Sequence, residues 1–181
     1  MVLAAPATGV VLGQNILPDG GFESFNDCGP RAAEDICYYN VSPGWIGIDD
    51  PGAPPDRAVI FFNIAASHSG WTSGILSVAY GSSGLSGTLK PVQPLNTFPG
   101  QKYQISFFHG APYEIPSDSS TTFAQLLWNG EVVFTTPHPG SNAWKQYLVN
   151  VTAVGQDLLA FHGGTSSGRT SHIDDVSVYA I

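Results

Sequence analysis

The sequence predicts an all-β chain folded as an antiparallel sandwich or jelly roll, and three observations predict it. Short alternating segments recur roughly every 8–12 residues with turn residues between them. No window carries an i, i+3, i+4, i+7 apolar stripe free of Gly or Pro, so no long amphipathic helix is expected. Gly (21) and Pro (14) together make about one residue in five while charged residues are only 11%, the balance of a turn-rich secreted protein rather than of an average globular chain.

The expected strands follow in order. Val10–Leu12, Gly21–Ser24, Gly44–Ile48 and Val59–Asn63 come first; between the last two, DDPGAPPD at Asp49–Asp56 has too many prolines for a strand and reads as a rigid loop. Ile75–Tyr80 and Ser86–Pro94 come next, and the turn Phe98–Gln101 delivers the chain into Lys102–Gly110. Alternation there puts Tyr103, Ile105 and Phe107 on a core face and Gln104, Ser106 and Phe108 on the other. Thr121–Trp128 sends Ala124, Leu126 and Trp128 inward and leaves Phe123, Gln125 and Leu127 opposite. Asn129-Gly130 is the favoured dipeptide for a type I′ turn into Glu131–Thr135. Trp144–Val151, Asp157–His162 and His172–Tyr179 complete the set, with Leu159 and Phe161 facing away from Leu158, Ala160 and His162.

Length and charge set the class. A chain of 181 residues is most simply one domain, 1–181, large enough to bury a full core. Its formal charge of −8 disfavours nucleic acid, which is bound by cations that release counterions, and also an anionic membrane surface. No apolar run approaches the ~20 residues of a membrane-spanning helix. Cys28 and Cys37 are close enough for a local disulfide that limits loop entropy, and C-x8-C offers no zinc spacing. The sequons at Asn40 and Asn150 agree with a secreted glycoprotein. The opening MVLAAPATGVVLG lacks the basic segment of a signal peptide and is expected to be a mature N-terminus.

Enzyme constellations are thin. No G-x-S-x-G elbow occurs, since GTSSG at Gly164–Gly168 is turn-like, and His68, His109, His138, His162 and His172 are scattered singly. Two acidic motifs bracket the chain, NILPDGGFES at Asn15–Ser24 and SHIDDVSVY at Ser171–Tyr179. A sandwich that joined them would set Glu23 beside Asp174 and Asp175, with carbonyls from the Gly20–Gly21 turn: a cage for a hard cation such as calcium rather than an acid/base pair. A sugar ring offers an apolar C–H face and a rim of hydroxyls, so aromatic and amide side chains on one surface suit it. The candidates are Gln104, Ser106, Phe108, Phe123, Gln125, Gln146 and His162 from strands, with Trp71, Tyr80 and Tyr113 near strand ends. Trp45 and Trp144, each opening a strand after a turn, read as structural.

Several of these motifs occur in a familiar order: NILPDGGFE, Gly44-Trp45, GTLKPVQPLNTFPGQKYQISF, LLWNGEVVF and the closing IDDVSV. The chain resembles secreted carbohydrate-binding modules with the galactose-binding-domain-like jelly roll of families 4, 9 and 22, from Asn15 to Tyr179. The resemblance implies a two-sheet jelly roll, a glycan or cell-wall polysaccharide ligand, no catalysis, and a structural calcium. Its ligands would be carbonyls of Asp19 and Gly21 and the carboxylates of Glu23 and Asp174. Alternation with Val176 and Val178 expects Asp174 inward; the other reading is a buried carboxylate held by backbone N–H groups or Arg169. A matrix or cell-wall protein that self-associates through an apolar face is the alternative function, and a glycoside hydrolase using Glu23 and Asp174 the third.

Overall fold

The computed structural model describes residues 13–24, 37–39, 43–49, 59–62, 67–70, 72–78, 86–111, 122–140, 143–165 and 170–181. Val10–Leu12, Cys28, Asn40, Trp71, Tyr80 and Tyr113 lie outside them, and with Cys28 the expected disulfide. The described residues form eleven strands: β1 Cys37–Tyr39, β2 Trp45–Asp49, β3 Val59–Phe62, β4 Thr72–Val78, β5 Ser86–Pro91, β6 Lys102–Gly110, β7 Thr122–Trp128, β8 Glu131–Thr135, β9 Trp144–Thr152, β10 Leu159–Thr165 and β11 Thr170–Ala180. They make two antiparallel sheets, β1-β3-β4-β11-β6-β9 and β2-β5-β10-β7-β8. There is no helix among the described residues. The all-β, two-sheet sandwich is what the alternation expects.

The facing sides of the sheets form the core. Tyr103, Ile105 and Phe107 of β6 meet Ala124, Leu126 and Trp128 of β7 and Leu159 and Phe161 of β10, and Phe107 and Phe161 touch edge to face with centroids 4.9 Å apart. Each large apolar side chain so buried contributes about 1.5–3 kcal/mol. Trp45 is fully buried against Phe22 and donates its indole N–H to the Asp19 carbonyl at 2.8 Å, in keeping with a structural Trp. Asn129 and Gly130 both have positive φ, 55° and 84°, as the type I′ turn requires.

Gly21–Ser24 does not form a strand. Phe22 has φ 61° and donates its N–H to the Asp19 carbonyl, so the chain turns here instead of extending. The turn nevertheless joins the two ends: Ile16 donates to the Val178 carbonyl at 2.9 Å and Val176 to the Gly20 carbonyl at 2.8 Å. The last strand differs from expectation in another way. Asp174 pairs with Phe108 and Ser177 with Ser106, so β11 carries one residue more than β6 between them, and Asp175 absorbs the bulge at φ 48°.

Two buried polar sites tie the connections to the sandwich. His109 is fully buried between the Ser171 hydroxyl (3.0 Å) and the Thr136 hydroxyl (2.9 Å). The Thr136 hydroxyl oxygen accepts from the Ala124 N–H and Ser171 donates to the Phe123 carbonyl. Asp157, also fully buried, accepts from the Thr97 hydroxyl, the Asn129 amide and the backbone N–H groups of Val154 and Gly155. Burial pushes its carboxyl up, but these four donors outweigh that and hold it below the usual value. Asp157→Asn, which sets an NH2 donor against these donors, is expected to cost about 2–3 kcal/mol in urea unfolding at neutral pH; an unchanged midpoint would show that the donors find other partners.

Candidate functional site

The outward face of the first sheet carries a row of amides and hydroxyls because β6 and β9 pair without a break from Lys102↔Thr152 to Gly110↔Trp144. That register sets Gln104 opposite Asn150, Ser106 opposite Leu148 and Phe108 opposite Gln146. Gln104 donates to the Asn150 side-chain oxygen at 3.3 Å, and Gln146 donates to the Ser106 hydroxyl at 3.0 Å. Gln104, Ser106 and Phe108 are half-buried while Gln146 and Asn150 are exposed. Asn150, the described sequon, therefore sits within this row. A glycan on it would be joined through Nδ2, leave Oδ1 able to accept from Gln104, and cover that end of the row.

Phe108 does not offer a bare ring. The imidazole of His68 stacks on it with centroids 3.6 Å apart and planes at 18°. Trp144 stands 5.7 Å from His68, nearly edge-on, and lies across Gly110, where a β-carbon would collide with its indole. Half-buried on this outer face, Trp144 belongs to the ring cluster rather than to the core that its turn-then-strand setting suggests.

The segment 67–70 is pinned to the bulge of β11. Asp174 Oδ2 accepts from the backbone N–H groups of His68 (2.8 Å) and Ser69 (3.2 Å), and Oδ1 from the Asp175 N–H. Asp175 accepts from the Ser69 hydroxyl and contacts His68 Nδ1, both at 2.7 Å. Asp174 is fully buried, yet it is not inward with Val176 and Val178. Its pairing with Phe108 puts it on the outer face, beneath segment 67–70, because the bulge inserts a residue and reverses the phase. Burial, with the charge of Asp175 adding to it, pushes its carboxyl up to about 7 against the pull of its backbone donors.

Glu23 reaches this end as well: its carboxylate lies against Gly70, and its Cγ and Asp175 Oδ1 flank the space beside Gly21. The Asp19 carbonyl already accepts two N–H groups, from Phe22 and Trp45, so its lone pairs are not open to a cation as the resemblance implies. Its side chain is the better donor. Oδ1 takes the Ser24 N–H, while Oδ2 is buried with no hydrogen-bond partner among the described residues, and burial, with the Glu23 charge adding, raises the Asp19 carboxyl. An under-compensated carboxylate of this kind with the Glu23 charge near it fits a hard cation in donor chemistry. Among the described residues no three acidic, His or Cys side chains converge as a ready-made metal cluster, so an ion would have to draw them together.

Not all the expected ligand residues share this face. Phe123, Gln125 and His162 are on the outward side of the second sheet, where His162 pairs with Gln125 and its Nδ1 lies 3.2 Å from the Gln125 side-chain oxygen. The core of the sandwich separates this group from Gln104, Ser106, Phe108 and Gln146, so the structure gives two half-sites facing opposite ways. Two clefts of ≈ 350 and ≈ 410 Å³ share the rim Pro91–Pro94 and contain none of the expected ligand residues. His68 and Trp144 were absent from the expected set; the single exposed histidine lies outside any strand pattern, and its partners are more than a hundred positions away in sequence.

No protein-family model matches the sequence, and comparison with curated proteins returns no relative. Solved structures do match. A family 61 carbohydrate-binding module, TmCBM61, in complex with β-1,4-galactotriose superposes with a TM-score of 0.56 at 14% identity, over 93% of this chain and 99% of that one. The fold is that of a carbohydrate-binding module. The K3 adhesin domain of Lys-gingipain from Porphyromonas gingivalis also superposes on this chain, with a TM-score of 0.53 at 13% identity, over 79% of this chain and 96% of that one. The CBM22-1–GH10 modules of a Clostridium thermocellum endo-1,4-β-D-xylanase, complexed with xylohexaose, match at TM-score 0.50 and 15% identity over 76% of this chain, which spans 26% of theirs.

Proposed function

We propose that this chain is a non-catalytic glycan-binding module of an extracellular or cell-wall setting, and that it binds on the outward face of the β11-β6-β9 sheet. The observation that carries this reading is the amide and hydroxyl row Gln104, Asn150, Ser106 and Gln146 running into the ring cluster of His68, Phe108 and Trp144. Directional hydrogen-bonding groups beside aromatic rings are what a sugar chain needs. From Gln104 to Phe108 the row is roughly 14 Å long at the strand rise, room for more than one ring. The similarity of the fold to a galactotriose-bound module supports the same reading. Affinity electrophoresis and a glycan array test it: retention by at least one glycan is expected, with Gln146→Ala weakening it about threefold to tenfold. Binding to no plant, fungal or animal glycan would sink the reading.

The proposal includes a structural calcium held by Asp19, Glu23 and Asp174, with the Gly21 carbonyl. Bound there, the ion would draw these carboxylates together, neutralise them and staple the two chain ends. Chelation by EGTA should then lower the melting temperature, by about 5–10 °C if the ion was present at a hundred times its dissociation constant. An unchanged melt, with no metal found by elemental analysis of the purified protein, would rule the staple out.

A self-association role has its own observation. Ile48, Val132, Val133 and Leu158 are large apolar side chains exposed by 41–55%, all on the second sheet or its rim. Light scattering across concentration separates the readings, since only this one requires mass to rise with concentration.

A further inference from the structure

The ring that faces solvent in the cluster is His68, and its chemistry is set by its neighbours. Its inner face is covered by Phe108 at 3.6 Å. About 30% of its side-chain surface remains open. Asp175 Oδ2, 2.7 Å from Nδ1, is a carboxylate oxygen that only accepts, so the proton of that contact belongs to Nδ1. In the neutral ring this leaves Nε2 as an acceptor, with no partner recorded among the described residues. The main chain of His68 is fixed too, through its N–H to Asp174, so the ring is held in place from both ends before any ligand arrives.

We propose that His68, rather than Phe108, is the stacking ring of the glycan site, and that its Nε2 accepts a hydrogen bond from a hydroxyl of a neutral pyranose. This rests on the glycan-binding reading above. Trp144 flanks the ring on one side. Gln146, opposite Phe108 in the strand pairing, has spent its amide N–H on Ser106 and keeps its carbonyl oxygen for a second hydroxyl. Asp175 is the positioning residue: it sets the ring's tautomer and its tilt without touching the sugar. The same carboxylates decide the class of ligand. Asp174 and Asp175 lie within hydrogen-bonding distance of the His68 residue, and the described lysine on this face, Lys102, stands at the far end of β6. An acidic sugar would bring its charge against the Asp175 carboxylate that holds the ring, so neutral chains are favoured over uronates.

The test is an array of neutral plant, fungal and animal oligosaccharides with oligogalacturonates as the charged arm, read for wild type, His68→Ala, His68→Phe and Asp175→Asn. Wild type is expected to bind a neutral glycan and not the oligogalacturonates. His68→Ala should lose about tenfold in affinity, the value of a ring contact and one hydrogen bond. His68→Phe keeps the stack and loses the acceptor, so it should fall between the two. Asp175→Asn should weaken binding less than His68→Ala, and adding His68→Ala to it should cost little more. As a measurement that needs no variant, the imidazole signals of His68 should shift in NMR spectra as the bound glycan is titrated into wild type. Wild-type affinity in His68→Ala, unmoved imidazole signals, or preference for oligogalacturonates would overturn this inference while leaving glycan binding intact. Absence of all binding would overturn both.

Discussion

Gly20→Ala is expected to destabilise the protein by roughly 3–5 kcal/mol, a large fraction of the stability of a domain this size. A β-carbon at position 20 would fall inside the Val176 carbonyl group, which is backbone and cannot swing aside. The same two residues share the hydrogen bond from the Val176 N–H to the Gly20 carbonyl, so relief of the clash also opens that bond and leaves a buried N–H on the last strand. Urea unfolding measures the loss. The neighbouring Gly21→Ala is the control, because a β-carbon there meets nothing nearer than 3.7 Å and should cost less than about 1 kcal/mol. Equal effects at the two positions would show that the close approach of the ends does not govern stability.

Mild acid should destabilise the protein through His109. Its burial, with the charge of His138 adding, lowers the imidazole from its ordinary value to about 3 against the pull of the Pro137 backbone. The unfolded chain takes up this proton near pH 6.5 and the native state only near pH 3, so stability is complete above pH 6.5 and falls as pH falls toward 3. The share of His109 in the slope is about 1.4 kcal/mol per pH unit, or roughly 2 kcal/mol by pH 5 and 3.4 by pH 4, and His172, lowered to about 3 by its own burial, adds a like share. His109→Gln, which can still hydrogen-bond Ser171 or Thr136, should be less stable at pH 7 and should lose one proton's worth of that slope. Parallel pH profiles for wild type and variant would sink the argument. Protonation would also break the directional chain from Ala124 through Thr136 and His109 to Ser171 and Phe123, because Nδ1 could then no longer accept.

What alternation could read, it read well. In β6 and β7 the side-chain period alone assigns Tyr103, Ile105 and Phe107, and Ala124, Leu126 and Trp128, to the core, since a strand's two faces are set by neighbours in sequence. Period says nothing about which sheet a strand joins. For that reason Gln104 and Gln125 entered one expected set although they face opposite sides of the sandwich. It also assumes that phase is unbroken, and the bulge at Asp175 breaks it, moving Asp174 from the expected inner face to the outer one. His68 and Asp157 went unnoticed for a different reason. Each takes its role from partners brought in by the fold, Asp174 and Asp175 for one and Thr97 and Asn129 for the other, and neither segment has a local pattern to announce it. The meeting of the two acidic ends was anticipated through the family resemblance, which implies a fold whose first and last strands adjoin, and not through any local pattern.

The bulge gives the last strand a division of labour. Before it, Ile173 faces the core while the buried His172 and Asp174 point to the other side; after it, Val176 and Val178 face the core. The extra residue is what lets Ile173 share the core face with Val176 and Val178, three and five positions further on. Deleting the one extra residue would join the two halves into a single phase. The core side chains would keep their face, and the loss would fall on the clasp over segment 67–70, which Asp175 holds through His68 and Ser69.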